Sequence, residues 1–229
     1  MNAPAKARGP LLAILQRDLR VYSRGRSAWL NPLLFALLGI TLFTLGLGPD
    51  RERVAADAAA VIWVVVLLGM MMSLDGLFKE DYVDGSLEQL LLMAGPVYFA
   101  VFGKVFAHWL VSAVPLVLAS PLFALMLGVP LEHIPLLAFS LLVGSGILSF
   151  LGAVGAAVTV SLQSSGLLIA LLILPLYVPV IIYGASLLQA AVDGWPYLAP
   201  LLMLCGLLCA VVVLAPLAIG IALKISLDT

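Results

Sequence analysis

The sequence predicts an all-α integral membrane protein. It has six transmembrane helices, an N-terminal interfacial amphipathic helix and a short cytoplasmic helix between the second and third spans. Three observations predict this. Between Lys104 and Lys224 there is no lysine or arginine and only two acids, Glu132 and Asp193, and a water-soluble surface needs far more charge to stay solvated. Hydrophobic residues make up 64% of the chain and charged residues 10%, against about 25% charged in soluble domains. The apolar runs are continuous, without the period-2 alternation of barrel strands.

A spanning helix needs roughly 20 mostly apolar residues, and six such runs occur at about 29–48, 54–77, 97–127, 134–161, 165–189 and 196–223. All fall in one permease domain covering 1–229. An even number of spans puts both termini on one side. Lys6, Arg8, Arg17, Arg20, Arg24, Arg26, Lys79, Lys104 and Lys224 collect on that side, whereas Arg51 and Arg53 opposite are offset by Asp50 and Glu52. The positive-inside rule makes the basic side cytoplasmic. The long charged stretch to Arg26 and the length of the first apolar run argue against a cleaved signal peptide. With the last basic residue at Lys224, no soluble catalytic domain is expected at either end.

Before the first span, residues 10–24 place Leu11, Leu15, Leu19 and Tyr22 on one face and Arg17, Arg20 and Arg24 on another. This pattern reads as a helix lying in the cytoplasmic interface, arginines toward anionic headgroups. It either anchors the first span or docks a partner.

Between spans two and three the chain leaves the membrane from Phe78 to Pro96. Asp84-Gly85 reads as a turn. Ser86 and Gln89 match a capping box, and Glu88 sits in the first turn, where the helix dipole favours negative charge. A transverse helix over 86–94, of about 13 Å at 1.5 Å per residue, is predicted, with Gly95-Pro96 stopping it. Leu87, Leu90, Leu91 and Ala94 share one face. Asp75 and Lys79, four apart, can pair along the end of span two.

In the third span Lys104 and His108 lie four apart with Trp109 beside them. An intramembrane histidine invites a functional reading, either as an axial ligand to an iron porphyrin or as a donor to a neighbouring helix's carbonyl. They stand as candidate substrate or partner contacts. In the fourth span Ser145, Ser149, Ala153, Ala157 and Ser161 form a small-residue stripe that admits another helix closely, within the chain or in a second subunit. Pro115, Pro121, Pro175, Pro179, Pro200 and Pro216 each remove a backbone hydrogen bond and bend their helices. Cys205 and Cys209, four apart in an apolar run, read as packing residues.

The net charge of −1 gives no footprint for nucleic acid. No phosphate-cradling P-loop pattern occurs. No catalytic constellation or metal-spaced cluster lies within the spans, so no catalytic or metal residue is assigned. Energy for uphill movement would then come from outside the chain, through the transverse helix.

The segments Asp75-Gly76-Leu77-Phe78-Lys79-Glu80-Asp81 and Asp84-Gly85-Ser86-Leu87-Glu88-Gln89-Leu90 resemble the CcmB family, the permeases of bacterial cytochrome c maturation. So do Ala107-His108-Trp109, Ser120-Pro121, Phe150-Leu151-Gly152-Ala153, Asn31-Pro32 and Gly48-Pro49, in order along nearly the whole chain. The sequence departs at Asp75, where glutamate is expected. It departs again at Gly144-Ser145-Gly146 and Val154-Gly155, where prolines are expected, and in the link Gln163-Ser164-Ser165-Gly166, which lacks basic residues.

The resemblance implies an ABC exporter half-permease in the bacterial inner membrane, a homodimer whose ATP and Mg are bound by a separate CcmA-like ATPase. CcmC-like and CcmD-like subunits and, indirectly, a CcmE-like haem chaperone are implied partners. Haem is implied as a transported substrate rather than a cofactor held by this chain. The expected ATPase-facing residues are Asp84, Gly85, Ser86, Leu87, Glu88, Gln89, Leu90 and Leu91. An energy-independent channel or carrier and a non-transporting scaffold are the competing readings.

Overall fold

The computed structural model describes Leu19 and residues 26–48, 51–74, 76–92, 97–162 and 165–227. The expected amphipathic helix over 10–24 lies outside these apart from Leu19, as do Asp75, Gly95-Pro96 and Gln163-Ser164. The described residues form helices joined by short turns. They are α1 (Arg26–Gly46), α2 (Arg51–Leu74), α3 (Lys79–Val83), α4 (Ser86–Leu92), α5 (Val97–Met126), α6 (Ile134–Val158), α7 (Ser165–Val192) and α8 (Leu198–Leu227). A single 3-10 turn at Leu131–His133 leads into α6. Six helices are long and apolar enough to cross a membrane, and the protein is an all-α, multi-pass membrane protein.

The links at the ends of α5 and α7 are tight because of their backbone conformation. Gly128 and Gly194 take φ of 75° and 73°, the left-handed conformation that glycine adopts without a Cβ clash. In each case the next residue's N–H reaches back five positions, Val129 to Ala124 and Trp195 to Ala190. This is a Schellman cap, which satisfies carbonyls at the helix end.

Helix α6 is the centre of the bundle and packs against α2, α5, α7 and α8, while α1 packs on α2 and α5. In lipid no hydrophobic force pulls helices together, so close packing and interhelical hydrogen bonds must do so. Glycines on α6 provide the room. A Cβ at Gly144 would run into the ring of Trp63 from α2, and one at Gly184 of α7 would meet the same ring. Trp63, the largest fully buried side chain, thus sits in a slot between two glycines. A Cβ at Gly152 would strike Leu74 and Tyr177, and one at Gly155 would strike Ile173. The Tyr177 hydroxyl donates to the Leu148 carbonyl over 2.7 Å, tying α7 to α6.

The small residues Ser145, Ser149, Ala153 and Ala157 are all buried within the chain. Ser161 is exposed and follows the end of α6, where the Thr159 N–H and hydroxyl both return to the Gly155 carbonyl. Helix α6 is therefore shorter than the 134–161 expected.

Two prolines leave carbonyls whose replacement donors can be identified. Pro121 cannot donate to Val117, and the Ser120 hydroxyl does so instead at 2.7 Å. Pro216 cannot donate to Val212, and the hydroxyl of Tyr98 on α5 does so at 3.2 Å. In a membrane such freed groups must find partners inside the protein, and the second one clips α5 to α8.

The slot makes a specific demand. Gly144→Val should destabilise the purified protein by about 1–3 kcal/mol, the usual cost of overpacking a close-packed core. A thermal melt in detergent checks this. Adding Trp63→Leu should restore part of the loss, and a Gly144→Val melt equal to wild type would contradict the slot.

Candidate functional site

The turn after α2 runs through Gly76–Phe78 into α3 and α4, folding the segment between the second and third spans back as an elbow between α2 and α5. Leu77, Phe78 and Leu87 are fully buried, so the elbow is nailed to the bundle by apolar side chains. Val83, Asp84, Gly85, Glu88 and Gln89 remain exposed along its outer side.

A buried ion pair fixes the elbow to α5. The Lys104 ammonium pairs with the Asp81 carboxylate of α3, their side chains 5% and 14% exposed. The Ser86 hydroxyl, at the start of α4, donates to the other Asp81 oxygen at 2.9 Å. The Phe78 ring centroid lies 6.0 Å from the Lys104 nitrogen, within cation–π range. One carboxylate therefore holds α3, α4 and α5 together. Such a pair offsets its own desolvation only with good geometry and extra hydrogen bonds, which Ser86 supplies.

One turn further into α5, His108 Nε2 lies 3.0 Å from the Ser73 carbonyl at the end of α2. A carbonyl only accepts, so Nε2 carries the proton. Trp109 Nε1 donates to Ser145 Oγ of α6 at 3.0 Å. Lys104, His108 and Trp109, expected as substrate or partner contacts, are thus joined to three different parts of the same chain: α3, α2 and α6. Lys104 and His108 are 4% and 3% exposed. Of the two readings of His108, the geometry has the hydrogen bond to a neighbouring helix. Among the described residues no group of three His, Cys, Asp or Glu side chains is placed to hold a metal ion.

Two expectations for α4 are corrected. The reciprocal box between Ser86 and Gln89 is not formed. Ser86 spends its hydroxyl on Asp81, and its own N–H is accepted by Asp84 Oδ1 at 2.9 Å, so Asp84 caps the helix. Leu87, expected on the ATPase-facing side, is fully buried and points into the bundle. Side chains of Leu90 and Leu91 lie outside the described residues. Two features escaped sequence reading. Asp81 gives no local signal for a partner 23 positions away. Val83, 79% exposed, is an apolar residue at the tip of the elbow.

The family profile described as CcmB protein matches residues 10–226. This chain belongs to the CcmB family. Its relatives named "Heme exporter protein B" include that of Pseudomonas aeruginosa, 48% identical over 213 residues, covering 93% of this chain and 96% of the relative. That of Haemophilus influenzae is 43% identical over 217 residues, covering 95% and 98%. That of Escherichia coli K12 is 41% identical over 215 residues, covering 94% and 98%. Membership of the family covers the elbow, the Lys104–Trp109 segment and every span.

The ion pair makes a directional prediction. Asp81→Leu alone should lower stability by about 3–5 kcal/mol, the usual cost of removing one partner from a buried ion pair. Asp81→Leu with Lys104→Met should recover most of that loss in the same detergent melt. Equal melts for the single and double variants would contradict a buried pair.

Proposed function

We propose that this chain is the membrane permease subunit of a haem export system, worked by ATP hydrolysis in a separate cytosolic subunit. The observation that carries the proposal is the elbow. It continues from α2, is tied to α5 by the Asp81–Lys104 pair on its inner side, and exposes Val83, Asp84, Glu88 and Gln89 on its outer side. A partner pressing there would move the bundle through the Asp81–Lys104 pair and the buried Leu77, Phe78 and Leu87. The relatives' printed name supplies haem as the substrate. The sequence offers no nucleotide-binding loop, so ATP and Mg belong to a CcmA-like partner, and the chain itself is non-catalytic. Cytochrome c biogenesis, CcmC-like and CcmD-like neighbours, a CcmE-like chaperone and a homodimer complete the reading. Both termini and the elbow face the cytoplasm of the bacterial inner membrane by the positive-inside rule.

The test reconstitutes this chain with its ATPase in vesicles and follows haem across the bilayer. ATP-dependent movement of haem supports the proposal. ATP turnover that only releases the haem-loaded chaperone, with no haem crossing, contradicts export by this subunit. The variant Glu88→Arg/Gln89→Arg alters exposed positions, where stability usually changes by less than about 0.5 kcal/mol. Its melt should match wild type while ATP-driven transport falls by about tenfold, the cost of losing one good interface contact. Undiminished transport would contradict docking on α4.

A further inference from the structure

Outside the elbow, α5 carries a second organised face. Tyr98, Phe102, Phe106 and Trp109 follow one another along the helix, all half-buried. The Tyr98 and Phe102 rings lie 6.4 Å apart and 13° from parallel, and Phe102 and Phe106 lie 5.9 Å apart and 9° from parallel. Trp109 continues the ladder 5.4 Å beyond Phe106, and Phe150 of α6 flanks it 5.5 Å from Phe102. Phe99, 49% exposed, stands edge-on to Tyr98.

At the foot of this ladder is a groove of about 180 Å³ between α5 and α8. Val97, Tyr98, Pro216, Gly220 and Lys224 line it, with Leu217 and Ile221. The groove has physical causes. Pro216 breaks the α8 hydrogen-bond ladder, and Tyr98 satisfies the stranded Val212 carbonyl. Gly220 keeps the wall low where a Cβ would sit 3.4 Å from Val97. Lys224 is exposed at the mouth and has no carboxylate partner among the described residues.

We propose that this groove and ladder form a membrane-facing loading site for a planar, carboxylate-bearing macrocycle of the porphyrin type, its carboxylate on Lys224 and its ring edge entering beside Tyr98 toward Phe102. Both halves of the ligand find their complement here. A flat apolar ring gains from offset or edge contacts with aromatic side chains, and its acid group meets a cation at the interface rather than inside the bilayer. The groove is too small for a whole macrocycle, so the remainder lies over the half-buried ladder. The inference rests on haem as the cargo, and it adds where on this chain the cargo is first held.

Metal-free protoporphyrin IX and its dimethyl ester are the probes, titrated by porphyrin fluorescence against the chain in phosphatidylcholine nanodiscs. The metal-free ring keeps iron ligation out of the measurement. Wild type should bind the diacid roughly five-fold tighter than the ester, the worth of one interfacial lysine. Lys224→Glu should abolish that preference and leave ester affinity unchanged. Phe102→Leu, which keeps an apolar side chain, should weaken both probes and keep the preference for the acid. Melting curves matching wild type for both variants make these affinity changes attributable to the site.

Equal binding of acid and ester by wild type overturns the proposal, as does indifference of both affinities to the two variants. Displacement of the porphyrin by phosphatidylglycerol doped into the nanodiscs also overturns it, in favour of an anionic lipid as occupant. Porphyrin binding that ignores the variants leaves haem export standing. Variant-sensitive binding without ATP-driven haem movement leaves the groove standing and removes the export reading.

Discussion

The fit of bulky side chains into glycine-cut notches on α6 is the constraint on which the rest of the structure depends. Lipid tails are as apolar as leucine, so burying Leu, Val or Ile against another helix releases little hydrophobic free energy in a bilayer. Shape must do the selecting. Trp63 fills the space left by Gly144 and Gly184, Leu74 and Tyr177 that left by Gly152, and Ile173 that left by Gly155. The Trp63 indole N–H finds no hydrogen-bond partner among the described residues, so its place is set by packing alone. These contacts hold α2 and α7 against one central helix and fix where α2 ends.

That end point governs the elbow. With Leu74 seated beside Gly152, the chain turns at Gly76–Phe78 and delivers Asp81 to Lys104. The Ser73 carbonyl, one residue before Leu74, meets His108 at the same level. Thus the core packing, the ion pair and the interhelical hydrogen bond arise in one stretch of sequence. An exposed α4 on a loosely held loop would absorb a push. Tied through Asp81 and buried through Leu87, it would pass a push from the proposed partner to α5. On its other face, α5 carries the aromatic ladder and its clip to α8 at Tyr98. The proposed mechanical input and the proposed cargo site thus share one helix.

Six apolar helices, the turns and a short helix starting at Ser86 were legible in the sequence because they depend on local quantities: apolar length, Asp-Gly, and a polar helix start. Four of the five small residues read as a stripe, Ser145, Ser149, Ala153 and Ala157, are buried on α6, although the deepest contacts use Gly144, Gly152 and Gly155 instead. What was not legible depends on pairs far apart in the chain. Asp81 with Lys104, Trp63 with Gly184 and Tyr98 with Val212 leave no local pattern. The capping box failed for a competitive reason: Asp81, buried beside a lysine, needs the Ser86 hydroxyl more than the exposed helix start does, and Asp84 stands ready to cap. Leu87 turned inward because the elbow packs against the bundle, which makes this residue an anchor.

If a partner drives the chain through α4, the elbow and α5 should move as one body, with the Tyr98–Val212 clip to α8 yielding. Pulsed electron spin resonance on the reconstituted complex tests it directly, with labels at Glu88 and Leu118 in one sample and at Glu88 and Ile221 in another. All three positions are exposed. Across the nucleotide cycle the account predicts a constant Glu88–Leu118 distance and a changing Glu88–Ile221 distance. A Glu88–Leu118 distance that shifts with nucleotide while Glu88–Ile221 stays fixed would contradict it.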